Sequence, residues 1–264
     1  MAGEDLEKSE RPRTSFIISV RLLTCMSASP VLSNNQLDKV ICQLKFNPQF
    51  SIDKTIGEFQ SRIANEYPNS GQTVEPQIPV MPNTPLVTNY SFSSSDSAWT
   101  INVTNSFISF TSSRYTSWDE FDSRFSRVLH EFHDCYEIDK FTRVGLRFIN
   151  AFRISKLIGS SDEPHSFKDL FKMETLGASM LFGDGIDSYS SAVDARYGSH
   201  MVRSITGFIR FDDNGERGFL IDNDMYASDA TEYADIMTLL DELDSDSYEL
   251  LNSMITERMR RLLE

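Results

Sequence analysis

The run Phe141–Phe152, FTRVGLRFINAF, is the strongest constraint on what this chain can fold into. It is rich in β-formers and lacks helical periodicity, which predicts a strand, placed centrally. Alternate residues of a strand share a face, so Arg143 and Arg147 project together. A second strand, Lys39–Phe46, sets Val40, Cys42, Leu44 and Phe46 on one side.

Between these strands, Ile52, Ile56, Phe59 and Ile63 recur at helical spacing, and Pro68 follows soon after. Residues 69–85 contain Pro76, Pro79, Pro82 and Pro85, which predicts an extended loop without a ladder. Short strands are expected at 86–94, 97–104 and 107–113. Ser117 with Glu120 forms a capping box ahead of the stripe Phe121, Phe125, Val128, Leu129 and Phe132.

The later part repeats this plan. Strands are expected at 176–182, 188–197, 202–212 and 217–226, with a tight turn at Asp213-Asn214-Gly215. Asp229 with Glu232 would cap one helix, and Asp246 with Glu249 the next. The fold class is therefore α+β, with antiparallel sheets in two similar meander-plus-helix halves and helices packed on one face. Residues 1–13 are expected to form a disordered leader. An N-terminal half follows at 14–158 and an acidic C-terminal half at 159–264, the two making one compact unit. Their boundary is Gly159–Ser166. Phe16–Leu23 would be an added strand.

A chain of 264 residues buries about three-quarters of its unfolded surface, enough for a core without staples. Cys25, Cys42 and Cys135 have neither disulfide-framework nor zinc-finger spacing and read as reduced cytosolic thiols. The start is acidic where a signal peptide is basic, so none is expected, and there is no stretch of about 20 apolar residues to span a membrane. The expected localisation is cytoplasmic.

The net charge of −14 is uneven. Residues 1–154 hold 15 Lys and Arg against 17 Asp and Glu, whereas residues 155–264 hold 10 against 22. From Gly218 to Glu257 there are 11 acids and no base. Such a field repels phosphate backbones and anionic membranes. It suits a basic protein partner, a metal ion, or solubility alone.

Arg143-Val-Gly-Leu-Arg-Phe-Ile-Asn150 resembles the signature strand of a sporadically distributed prokaryotic family of hypothetical proteins, in which the strand reads Gly-Leu-Arg-Tyr-Ile-Asn. Here Phe148 replaces the tyrosine. Val40–Pro48, Glu66-Tyr-Pro68, Tyr115-Thr-Ser-Trp-Asp-Glu-Phe121, Phe219-Leu-Ile-Asp-Asn-Asp224 and Ile255-Thr-Glu-Arg-Met-Arg260 resemble further family segments in the same order, over residues 30–263. Asp244 stands where the family would have a histidine. The resemblance implies a prokaryotic-type intracellular α+β protein and no particular reaction.

Asp222 and Asp224 share one strand face about 7 Å apart. Such a pair can hold Mg²⁺ or Mn²⁺ for phosphoryl chemistry, or bridge to arginines. Arg143 and Arg147 are the natural partners, and with Asn150 they make a candidate anion or ion-pair site. His130 and His133 are expected to edge the buried helix stripe. Asp184, Asp187 and Asp194 read as a polar loop, and Trp99 and Trp118 as core.

Two functions follow. The first is a non-enzymatic interaction or regulatory protein with an acidic surface, such as an antitoxin, immunity or defence-associated subunit. It needs no cofactor and binds a protein of basic character, with direct nucleic-acid binding disfavoured. The alternative is a metal-dependent enzyme on nucleotides or nucleic acid, acting through Asp222 and Asp224 with Mg²⁺ or Mn²⁺.

Overall fold

The computed structural model describes residues 32–76, 86–158, 166–183 and 186–264. The expected leader, the Phe16–Leu23 strand, Cys25, Asp184 and nearly all of the 159–166 boundary lie outside the described residues.

The element order is β1 Leu37–Lys45, α1 Ile52–Ile63, β2 Asn69–Pro76, β3 Leu86–Ser93, β4 Trp99–Val103, β5 Phe107–Ser112 and α2 Trp118–Tyr136. It continues with β6 Lys140–Phe141, β7 Arg143–Phe152, α3 Ile154–Ile158, α4 Phe167–Leu170 and α5 Met173–Leu176. Then come β8 Ser190–Tyr197, β9 His200–Arg210, β10 Arg217–Ala227, β11 Thr231–Glu232, α6 Ile236–Met254 and α7 Glu257–Leu263.

Nine strands form one sheet in the order β2-β3-β4-β5-β1-β7-β10-β9-β8, and every pairing is antiparallel. The expected α+β class holds, and so does the repeated plan. β1 leads through α1 to the far edge, and the chain returns by β2, β3, β4 and β5 to lie beside β1. β7 leads through α3 to α5 to the opposite edge, and the chain returns by β8, β9 and β10 to lie beside β7. Each return is followed by a helix of 19 residues, α2 or α6. The two halves share one continuous sheet, joined where β1 pairs with β7.

Strand parity fixes which side carries the core. Val40, Cys42, Leu44, Val144, Leu146, Phe152, Phe219, Ile221 and Met225 point to the helices and are fully buried. The helices answer with Phe59 of α1, Phe121, Phe125 and Phe132 of α2, and Leu240 and Leu243 of α6. Rings interlock across this layer: Phe110 lies 5.2 Å from Phe121 and 5.6 Å from Phe125. A second cluster, around Phe152, Phe171, Phe219 and Met259, seals the α4 and α7 end. Neither cluster takes a residue from the opposite sheet face, so among the described residues that face is not covered by a helix.

Four expectations are corrected. Residues 69–76 form a strand paired with β3 despite the prolines beyond, because only Pro76 falls within it, at its end. Residues 176–182 are helical turns, not a strand, and leave Leu181 and Phe182 exposed. Asp246 and Glu249 lie inside α6, because the buried stripe Leu240, Leu243, Asp244 and Ser247 carries the helix past them. Asp229 and Glu232 precede a short 3-10 turn, and α6 starts only at Ile236.

Ser117 caps α2 as expected, accepting the Glu120 N–H at 3.2 Å. The Glu120 carboxylate does not complete the box. It accepts from the Thr116 hydroxyl and from Arg124 Nε.

Candidate functional site

The central strands β7 and β10 place Arg143, Arg147, Asp222 and Asp224 on the uncovered face, while Arg217 at the start of β10 falls on the helix side, over Phe208. Arg147 Nε and Nη2 meet Asp222 Oδ1 and Oδ2 at 2.7 and 2.6 Å, a two-pronged ion pair. The Asp222 side chain is 8% exposed and that of Arg147 40%. Arg143 Nη2 lies 2.8 Å from both oxygens of Asp224, and its guanidinium stacks 4.3 Å over the Tyr226 ring.

The pairs do not follow the rungs of the ladder. Arg147 stands opposite Asp224 in register but bonds the diagonal Asp222. Asp224 is thereby left to Arg143, which reaches it along the strand. On the next strands Asp224 stands opposite Arg203, and Arg203 opposite Asp194, which it contacts at 3.1 Å. One rung across β8, β9, β10 and β7 thus reads Asp194, Arg203, Asp224, Arg147, with alternating sign.

The structure therefore brings together Arg143, Arg147, Asp222 and Asp224 as the spacing predicts, in the ion-pair form of the two readings. It parts them from Asn150. Odd and even positions of β7 face opposite ways, so Asn150 lies among the helices, 5% exposed. The strand carboxylates are also not free of compensation: arginines of the first half hold both. Among the described residues, no group of three or more His, Cys, Asp or Glu is arranged to hold a metal ion.

Further carboxylates sit on the helices. Asp122 of α2 feels the charges of Asp241 of α6 and of Asp119 on its own helix, and Asp241 Oδ1 accepts from Trp118 Nε1 at 2.7 Å. Burial lifts the Asp122 carboxyl above its ordinary value, and the charges of Asp241 and then Asp119 raise it further. That like-charge effect marks carboxylates that crowd one another.

His200, which the spacing arguments pass over, is 5% exposed at the start of β9. Its Nδ1 lies 2.8 Å from Asp246 Oδ2, and its Nε2 lies 3.6 Å from Glu242 Oε2. Ser199 Oγ is 3.5 Å from Nε2, too long for an activated nucleophile. The imidazole bridges two carboxylates of α6 and ties that helix to the sheet. His133 stacks on Tyr233 at 3.8 Å and meets Asp139, while His130 is exposed, so both edge the helix as expected. Trp99 and Trp118 are core, 4% and 3% exposed. Cys42 is buried, which pushes its thiol far up and makes it inert as a nucleophile.

On the helix side of β7 lies a cavity of about 60 Å³, between β1, β7, the start of α2, and α6. Asn150, Asp244 and Ser247 are among its lining residues. The signal for it was present in the sequence: Asp244 and Ser247, three apart, are polar residues on an otherwise apolar helix stripe.

Neither a family model nor a curated protein matches the chain. No helix among the described residues is long and apolar enough to cross a membrane.

Proposed function

We propose that this chain is a non-enzymatic interaction or regulatory protein, cytoplasmic, that offers the carboxylates of α2 and α6 to a basic protein partner. An antitoxin, immunity or defence-associated subunit works in this way. The observation that carries the reading is that Asp122, whose carboxyl is lifted first by burial, is lifted further by the charges of Asp241 and Asp119. A cationic side chain docking there relieves that repulsion. The strand acids Asp222 and Asp224 lend no support to a docking site or to metal chemistry, since each is engaged by an arginine.

The test is titration with a Lys- and Arg-rich peptide, followed by fluorescence anisotropy. Affinity should fall steeply with salt, because the screening length shrinks to about 10 Å at 0.1 M. The D119N/D122N/D241N variant should lose most of the binding. A variant with the same charge change elsewhere, E174Q/D187N/D212N, should retain it. Equal loss in both variants means bulk charge alone and overturns the reading.

A further inference from the structure

The cavity beside β7 has apolar walls, among them Leu37, Phe148, Phe152 and Leu251. Set into them are polar side chains almost entirely out of solvent, with Asn150 5% and Ser247 4% exposed. About nine in ten buried polar groups in folded proteins are hydrogen-bonded, and leaving one unmade is destabilising. Among the described residues Ser247 Oγ has no hydrogen-bond partner. Asn150 Nδ2 reaches, among the described residues, only the Ile221 carbonyl, at 3.5 Å, beyond good hydrogen-bond length. These two under-used groups come from opposite walls, α6 and β7, and line the same space.

We propose that this cavity binds a compact, largely apolar molecule with an uncharged head that both donates and accepts hydrogen bonds, an alcohol or a primary amide. The head sits between Ser247 and Asn150, and the body lies against Phe148 and Leu251. A water needs about 10–15 Å³ of such space, so 60 Å³ admits about four to six non-hydrogen atoms. Anions are disfavoured. Asp244 lines the cavity, and its charge is felt at the neighbouring Tyr115 hydroxyl, which burial and then that carboxylate push well up. Both effects keep the phenol protonated.

The full chain is titrated with isobutanol, isobutyramide and isobutyrate while amide NMR shifts are followed. Saturable shifts centred on Asn150 and Ser247 are expected with the alcohol and the amide, and none with the carboxylate. Ser247→Val should weaken binding by about tenfold, the loss of one hydrogen bond, and should not lower the unfolding temperature, since it deletes an unsatisfied hydroxyl. Asn150→Leu should weaken binding similarly; should it fail to fold, Ser247→Val alone decides. Three outcomes overturn the proposal: no saturable shift at millimolar alcohol or amide, as for a cavity holding ordered water only; equal binding of isobutyrate; or undiminished binding by Ser247→Val.

Discussion

The guanidinium of Arg143 lies across the α-carbon of Gly145: a β-carbon there would meet Nη1 at 2.4 Å and Cζ at 2.9 Å. The bare backbone at Gly145 lets Arg143 run along its own strand, stack on Tyr226 and reach Asp224. Gly145→Ala should therefore push the arginine off both partners. The expected cost is about 1–3 kcal/mol, that of a strained and partly unmade charged contact. In an Arg143→Met background the same substitution should cost much less. Urea unfolding of the four-member cycle measures the coupling.

The Arg147–Asp222 pair is asymmetric in exposure, and its two halves should respond unequally. Arg147→Met strands a carboxylate that is 8% exposed and should cost about 3–5 kcal/mol. Asp222→Asn leaves an arginine that is 40% exposed, able to turn to water, and should cost clearly less. Denaturant midpoints of the two variants check the order.

His200→Leu removes the bridge to Asp246 and Glu242 and should cost about 1–3 kcal/mol. Amide exchange should speed up in α6 around Asp246 more than in α2, because the lost contacts anchor α6 alone.

The pH dependence has two limbs of opposite sign. The Ser94 hydroxyl and the Ala98 N–H, then Arg114, hold Asp96 down from 3.8 to about 2. Its contribution is present above the ordinary value and is lost as pH falls from 3.8 through about 2. Asp213, held down chiefly by Arg153, adds in the same direction. Urea midpoints should drop across that window, and less so for Asp96→Asn.

Asp122 behaves in reverse, because its folded-state value is raised. It favours the fold when protonated and opposes it once charged. Asp122→Asn should raise the unfolding temperature near neutral pH, with a smaller gain at high salt. A drop instead would mean that the carboxylate is held by a compensating contact.

Parity makes the charged face legible in the sequence. Positions 143 and 147, like 222 and 224, differ by even steps, so each pair had to share a side of its strand. The diagonal choice of Asp222 by Arg147 depends on strand register, which lies beyond local spacing. Asn150 shares the motif with the arginines, but its even number sends it to the other side of the strand. Leu176, Met180, Leu181 and Phe182 suggested a strand because a short apolar run has no period of its own. Asp246 and Glu249 mimicked a helix start, and only the apolar stripe on both sides shows that the helix never stopped. Asp244 and Ser247 mark the cavity as polar breaks in the α6 stripe, but its other walls come from β7 and the start of α2, which local spacing does not bring together.

The seam between β1 and β7 has a consequence for how the chain can be divided. β1 has its own meander on one flank and depends on the other half for its second partner; β7 is in the same position. A fragment carrying either half alone would expose a raw backbone edge shaped to receive a complementary strand. Two such fragments should reassemble when mixed, and a solitary one should pair with its own twin or precipitate.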